Sequence, residues 1–165
     1  MPGPDDTATT PAGEAGHAVL ALERFLPYRL SVLSNRISHA ISSIYVDRFG
    51  LSVTEWRVMA VLGRFPGLSA NQVAERTAMD KVAVSRAVRS LLARRRLTRA
   101  YDQGDKRRSI LRLSAAGQSV YRQVAPLALA YEQKLLDALS ASDRRSLDRL
   151  IARLMERARS MTGDW

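Results

Sequence analysis

The residues of this chain best placed to do chemistry are cations. Between positions 81 and 112 stand Lys81, Arg86, Arg89, Arg94, Arg95, Arg96, Arg99, Lys106, Arg107, Arg108 and Arg112, eleven bases against two acids, Asp102 and Asp105. That stretch nets +9, while the other 133 residues together net +1. A solvated helical face mixes both signs. A one-signed field on a short segment attracts a polyanion and releases its counterions. Groups for covalent, redox or metal chemistry are scarce by comparison. The chain has no cysteine, and its two histidines, His17 and His39, have no acid or nucleophile beside them at a catalytic spacing. No catalytic residue, metal site or cofactor is expected, and the chain does not read as an enzyme.

The elements that must hold this charge fit into one domain with helical extensions, given 165 residues of which 46% are apolar and 25% charged. No apolar run approaches the length of about 18 residues that a membrane span needs. The first 16 residues carry Asp5, Asp6 and Glu14 but no Lys or Arg, unlike a signal or transit peptide. A cytoplasmic, nucleoid-associated location is the expectation. Residues 1–16, rich in Pro, Gly and Thr, read as a disordered tail.

From there the periods turn helical. Leu26, Leu30, Leu33, Ile37, Ile41 and Ile44 recur at three- and four-residue steps on one long helix, with Pro27 either opening it or kinking a longer one and Gly50 stopping it. Ser52-x-x-Glu55 and Ser69-x-x-Gln72 are capping boxes for two short helices. Asp80 caps a third, whose Val84, Val88 and Leu91 form an inner stripe while Lys81, Val82, Ser85, Arg86 and Arg89 share the outer face. Two strand-like runs, 97–101 and 109–113, flank a charged turn at 102–108. Ser114 then caps a helix striped by Val120, Val124, Leu127, Tyr131 and Leu135, in which Pro126 predicts a bend. Ser140 with Asp143 opens a last helix carrying Leu147, Leu150, Ile151, Leu154 and Ala158.

The order helix, helix, short turn, helix, hairpin is that of a winged helix-turn-helix, whose third helix fits a major groove. There Lys81 and Ser85 can meet phosphates or bases, Arg86 and Arg89 can fork onto guanine, and Val82 can touch a thymine methyl. At the hairpin tip Asp105, Lys106, Arg107 and Arg108 form a second candidate element, with Arg107 suited to a narrow minor groove and Asp105 fixing its direction.

Leu51 to Gly117 resembles the DNA-binding region of the MarR (multiple antibiotic resistance regulator) family. The matching pieces are Leu51-Ser-Val-Thr-Glu-Trp56, Met79-Asp-Lys-Val-Ala-Val-Ser-Arg86, Asp105-Lys-Arg107 and Leu113-Ser-Ala-Ala-Gly117. The chain departs from the family in placing Arg96 where many members have a glycine before the strand, and in a wing about one residue short. The resemblance implies a mainly α fold: a winged helix-turn-helix domain (51–114) with a small β-hairpin wing, flanked by N-terminal (17–50) and C-terminal (115–162) dimerisation helices. It further implies a homodimer on a pseudo-palindromic operator, double-stranded DNA as partner, and repression in preference to activation.

Dimerisation also follows from the residues. The stripes of the first and last two helices hold more apolar surface than a compact domain of about 65 residues can cover, and a symmetric twin supplies the missing face. Members of the family often bind aromatic acids or phenolics where those helices meet the winged domain. A small aromatic or phenolic effector here has as candidate contacts Tyr28, Ser31, Asn35 and His39 on the first helix, Trp56 and Met59 as an apolar wall, and Arg24 or Arg36 for a carboxylate. A non-specific architectural DNA binder, a ligand-independent repressor and a winged module that contacts proteins are the other classes compatible with these features.

Overall fold

A computed structural model describes residues 19–101 and 109–161 of the chain. The 1–16 tail and the wing tip, with Asp105, Lys106, Arg107 and Arg108, lie outside the described residues. Six helices and one hairpin follow in order: α1 (Leu26–Phe49), α2 (Val53–Arg64), α3 (Ala70–Thr77), α4 (Lys81–Ala93), β1 (Leu97–Tyr101), β2 (Ser109–Leu113), α5 (Ala115–Leu136) and α6 (Ala141–Met161). The fold is mainly α with a two-stranded antiparallel wing. Two compact units divide between Arg36 and Ile37, inside α1.

The first unit contains a turn at 22–24 and the opening of α1, where Leu26, Leu30 and Leu33 are 44%, 47% and 52% exposed. Pro27 sits in the first turn, where the missing N–H has no intrahelical partner to lose, so it opens α1.

The second unit holds the core. Its helix starts are fixed locally, each by a hydroxyl or carboxylate that takes up an otherwise unpaired amide. Ser52 accepts from the Glu55 amide at 3.1 Å while the Glu55 carboxylate accepts from the Ser52 amide at 2.7 Å, and Ser69 with Gln72 repeats the pattern at 3.3 and 2.9 Å. Asp80 caps α4 through the Ala83 amide at 2.9 Å, Ser114 caps α5 through the Gly117 amide at 3.0 Å, and Ser140 with Asp143 opens α6. Between these helices Leu51, Val58, Met59, Leu62, Val73, Val84, Val88, Leu91, Leu97, Leu111, Leu113 and Val124 close the core around Tyr45. The wing pairs Leu97 with Leu113 through Tyr101 with Ser109, and Leu111 also bridges to Leu68. α5 runs as one helix through Pro126. α6 has no buried residue at all, and its Leu150, Ile151, Leu154 and Met155 are 44–53% exposed.

The left-handed residue before β1 is Arg95, at φ 54°, and not Arg96. The Arg95 amide bonds to the Leu92 carbonyl at 2.9 Å and the Arg96 amide to the Leu91 carbonyl at 2.8 Å, a Schellman motif with arginine where glycine is usual. Arg95 is therefore the position that a glycine suits.

The turn also explains Leu113-Ser-Ala-Ala-Gly117. Ser114 donates to the Arg95 carbonyl at 2.6 Å, its amide donates to the Arg96 carbonyl at 3.0 Å, and a Cβ at Gly117 would overlap that same Arg96 oxygen. Two stability predictions follow from this packing. Arg95→Gly should stabilise the fold by about 0.5–1 kcal/mol by relieving the left-handed backbone. Gly117→Ala should destabilise it by about 1–3 kcal/mol, because the wing turn must shift to admit the methyl. Urea unfolding midpoints read both.

Candidate nucleic-acid interface

α4 alternates two environments at helical spacing. Val84, Ala87, Val88 and Leu91 are 0–6% exposed against the core, whereas Lys81, Val82, Ser85, Arg86 and Arg89 are exposed on the opposite side. The helix packs on α2 and α3, and α3 ends in Ala78, left-handed at φ 50°, so that the chain turns sharply into the Asp80 cap. Among the described residues no carboxylate lies within ion-pair distance of Lys81, Arg86 or Arg89. The sequence-derived outer face thus forms one surface with no acidic partner among the described residues, with the methyls of the 56%-exposed Val82 set among the cations. Whether the tip residues Asp105 to Arg108 join it lies outside the described residues.

Beside this face, Ser52, Thr54 and Glu55 of the α2 start border a groove with Ala83, Arg86, Ala87 and Ser90. Glu55 is 6% exposed, the one buried charged residue of the described core. Burial alone would raise its pKa. Hydrogen bonds from the Ser90 side chain and from the Ser52 amide and hydroxyl, together with the positive charge of Arg94, outweigh burial and hold the carboxyl below its ordinary value. It ties the α2 cap to α4.

Not every cation of the basic segment serves the surface. The Arg94 guanidinium donates to the Gly50 carbonyl and the Arg96 guanidinium to the Phe49 carbonyl, each at 2.5 Å. Burial, and then repulsion from Arg94, lower the Arg96 pKa, and its Nη1 is enclosed with no hydrogen-bond partner among the described residues. A count of charges along the sequence cannot tell these two arginines from Arg86 and Arg89.

The candidate effector residues are placed separately. In the first unit Arg24, Tyr28, Ser31, Asn35 and Arg36 are exposed. In the second, His39 is exposed and Trp56 is half-buried, while Met59 has no exposed surface and in this conformation lies inside the core, not along an open wall. The sequence reading missed what surrounds Trp56. Its ring stacks between Tyr45, at 5.7 Å and 28°, and Tyr121, at 6.0 Å and 27°. Gly63 makes room for the Tyr121 ring, which would stand 2.6 Å from a Cβ there. Arg57 reaches the Ser38 hydroxyl at 2.8 Å. Tyr45, one step beyond Ile41 on the α1 stripe, was the available signal. Among the described residues no group of His, Asp and Glu is arranged to hold a metal, and no helix is long and apolar enough to cross a membrane.

A capped helix pair, a sharp turn, an outward cationic helix and a hairpin wing define a winged helix-turn-helix DNA-binding protein. Residues 49–108 match the sequence profile of the MarR family. The HTH-type transcriptional regulator BilQ of Clostridium symbiosum (strain WAL-14163) is 26% identical over 109 residues, 66% of this chain and 76% of its own. A solved MarR/EmrR family transcriptional regulator from Acinetobacter sp. ADP1 superposes with a TM-score of 0.79 at 26% identity, covering 86% of this chain and all of that one. The PcaV transcriptional regulator from Streptomyces coelicolor, solved in complex with its natural ligand, gives 0.67 at 26% identity over 86% and 99%. Over residues 49–108 the chain is thus similar to the MarR family, and the fold it shares with solved transcriptional regulators of that family extends over most of its length.

The Glu55 environment makes the stability of the second unit depend on acid pH. A carboxyl held below its unfolded value of about 4.3 contributes stability that is full above that value and is lost as pH falls through the folded value. The urea midpoint of the wild type should exceed that of Glu55→Gln at pH 7, and the gap should close on acidification below about pH 4. A gap independent of pH would contradict this role.

Proposed function

We propose that this regulator is a homodimeric repressor that acts at the nucleoid in the cytoplasm, sits on a pseudo-palindromic operator and is released by a small aromatic or phenolic acid. The observation that carries the reading is the α4 surface: Lys81, Val82, Ser85, Arg86 and Arg89 exposed together on a helix whose other side is closed into the core. Its width and charge suit a major groove, where Arg86 and Arg89 fork onto guanines and Lys81 and Ser85 take phosphates. Lys106, Arg107 and Arg108 extend the contact along the wing, with Asp105 orienting Arg107.

Dimerisation is supported by the uncovered apolar side chains, Leu30 and Leu33 on α1, Leu127, Leu129 and Leu135 on α5, and Leu150, Ile151 and Leu154 on α6, each 41–60% exposed. A second copy buries them and spaces two α4 helices about one DNA turn apart. Release by an effector has two supports. One is the ligand-bound state of PcaV. The other is the set of aromatic and cationic side chains named above, described unit by unit. Such a ligand acts only by binding the DNA-incompetent arrangement more tightly than the competent one.

The test is binding to a duplex from the chain's own upstream region, titrated with salt and with random DNA. Operator affinity should exceed random affinity by about 10³ or more, and Arg86→Ala or Arg89→Ala should cost about 1–3 kcal/mol and relax preference at one base pair. Equal losses on operator and random DNA would reduce both arginines to phosphate contacts and favour a non-specific architectural binder. Aromatic acids that weaken the complex support release, and indifference to all of them leaves a ligand-independent repressor.

A further inference from the structure

We propose that Arg94 and Arg96 are positioning residues, which fasten the C-terminus of α1 to the end of the DNA-reading helix and do not touch DNA themselves. The proposal rests on the DNA-binding reading of α4 but assigns these two cations a different task from Arg86 and Arg89.

Four elements meet at the three-residue turn Arg94–Arg96. α4 ends there and β1 begins at Leu97. The turn's carbonyls at 95 and 96 accept from the Ser114 hydroxyl and amide that start α5. Its guanidinium groups reach back 44 and 47 residues to the Gly50 and Phe49 carbonyls at the end of α1. The Phe49 carbonyl ends a 24-residue helix, where acceptors have no intrahelical donor and the helix dipole is negative, and the Gly50 carbonyl lies in the left-handed residue just beyond it. Two charge-assisted donors complete that terminus, and planar guanidinium groups hold direction better than a lysine.

The Arg95 backbone makes the clamp two-armed. Its left-handed conformation reverses the chain between Arg94 and Arg96, and both side chains then converge on consecutive carbonyls. Glu55 lies close enough to raise the Arg96 pKa and to feel Arg94, so the local charge is partly balanced from within the protein. α1 and α5 carry the apolar faces left for a second copy, and α4 and the wing carry the proposed contacts to DNA. The clamp therefore joins the elements that set spacing to the elements that read sequence.

The experiment compares Arg94→Met, Arg96→Met and the double variant with Arg86→Ala on the full chain, using the upstream duplex across a salt series and amide hydrogen exchange without DNA. Losing a phosphate contact lowers the slope of log affinity against log salt by about one. The clamp variants should lose tenfold or more in operator affinity with an unchanged slope, and amides at 46–51 and 90–97 should exchange faster while those of α3 do not. A slope reduced as in Arg86→Ala, or affinity within twofold of wild type, or unchanged exchange at 46–51, would overturn the proposal. If the double variant fails to fold, Arg94→Met alone, which removes only the exposed arm, carries both readouts. Failure of the wild type to bind the duplex would sink the DNA reading instead, and exchange would then decide the clamp.

Discussion

The cationic face of α4, which we propose meets DNA, depends on the burial of one stripe of a 13-residue helix. An isolated helix of that length is marginal in water, and α4 gains its stability from packing, not from propensity. Val84, Val88 and Leu91 are fully enclosed, each worth about 1.5–3 kcal/mol of transfer out of water. That burial fixes the rotation of the helix about its axis. Because the periodicity is 3.6, fixing the inner stripe also fixes which residues face out. The cations at 81, 86 and 89 and the methyls at 82 therefore form a surface whose geometry is decided by aliphatic side chains behind it. Mutual repulsion among the cations is tolerable because the core, and not the surface, holds them in place.

Helix ends do the remaining positioning. The capping boxes at Ser52 and Ser69, the Asp80 cap and the Ser114 cap set where each helix begins, and two left-handed residues, Ala78 and Arg95, set how α3 and α4 stop. Neither is glycine, so both turns hold backbone energy that the surrounding hydrogen bonds must offset. Around Arg95 those bonds are numerous. The Ser114 hydroxyl, the Ser114 amide and the close approach of Gly117 all converge on the same carbonyl pair. The seam between the end of α4 and the long helices is thus made of polar contacts, whereas the seam between α4 and α2 is mostly apolar, with Glu55 its buried polar tie.

Much of this was legible in the sequence because it is local. Side chains three residues apart announce a cap, a period of three to four announces a stripe, and Leu97 to Tyr101 against Ser109 to Leu113 announces a hairpin. What escaped depends on contacts across long separations. Counting cations placed Arg94 and Arg96 with Arg86 and Arg89, since nothing within 40 residues reveals that the Gly50 and Phe49 carbonyls wait for them. The left-handed conformation of Arg95 also escaped, because an arginine in that region leaves no compositional mark. Met59 looked available as a pocket wall, but a helix with apolar residues on several sides does not declare which of them the core will enclose. The Tyr45–Trp56–Tyr121 stack joins three helices, and only the fold brings those rings together.

The absence of cysteine from the chain allows the central claim to be tested at one atom. Ser85→Cys carries an iron chelate only at the middle of the outer face of α4. On a bound duplex from the upstream region, the account requires strand scission centred in the major groove, in two clusters about one helical turn apart. A duplex that is bound yet left uncut, or cut evenly along its length, would mean that α4 is not the helix that enters the groove.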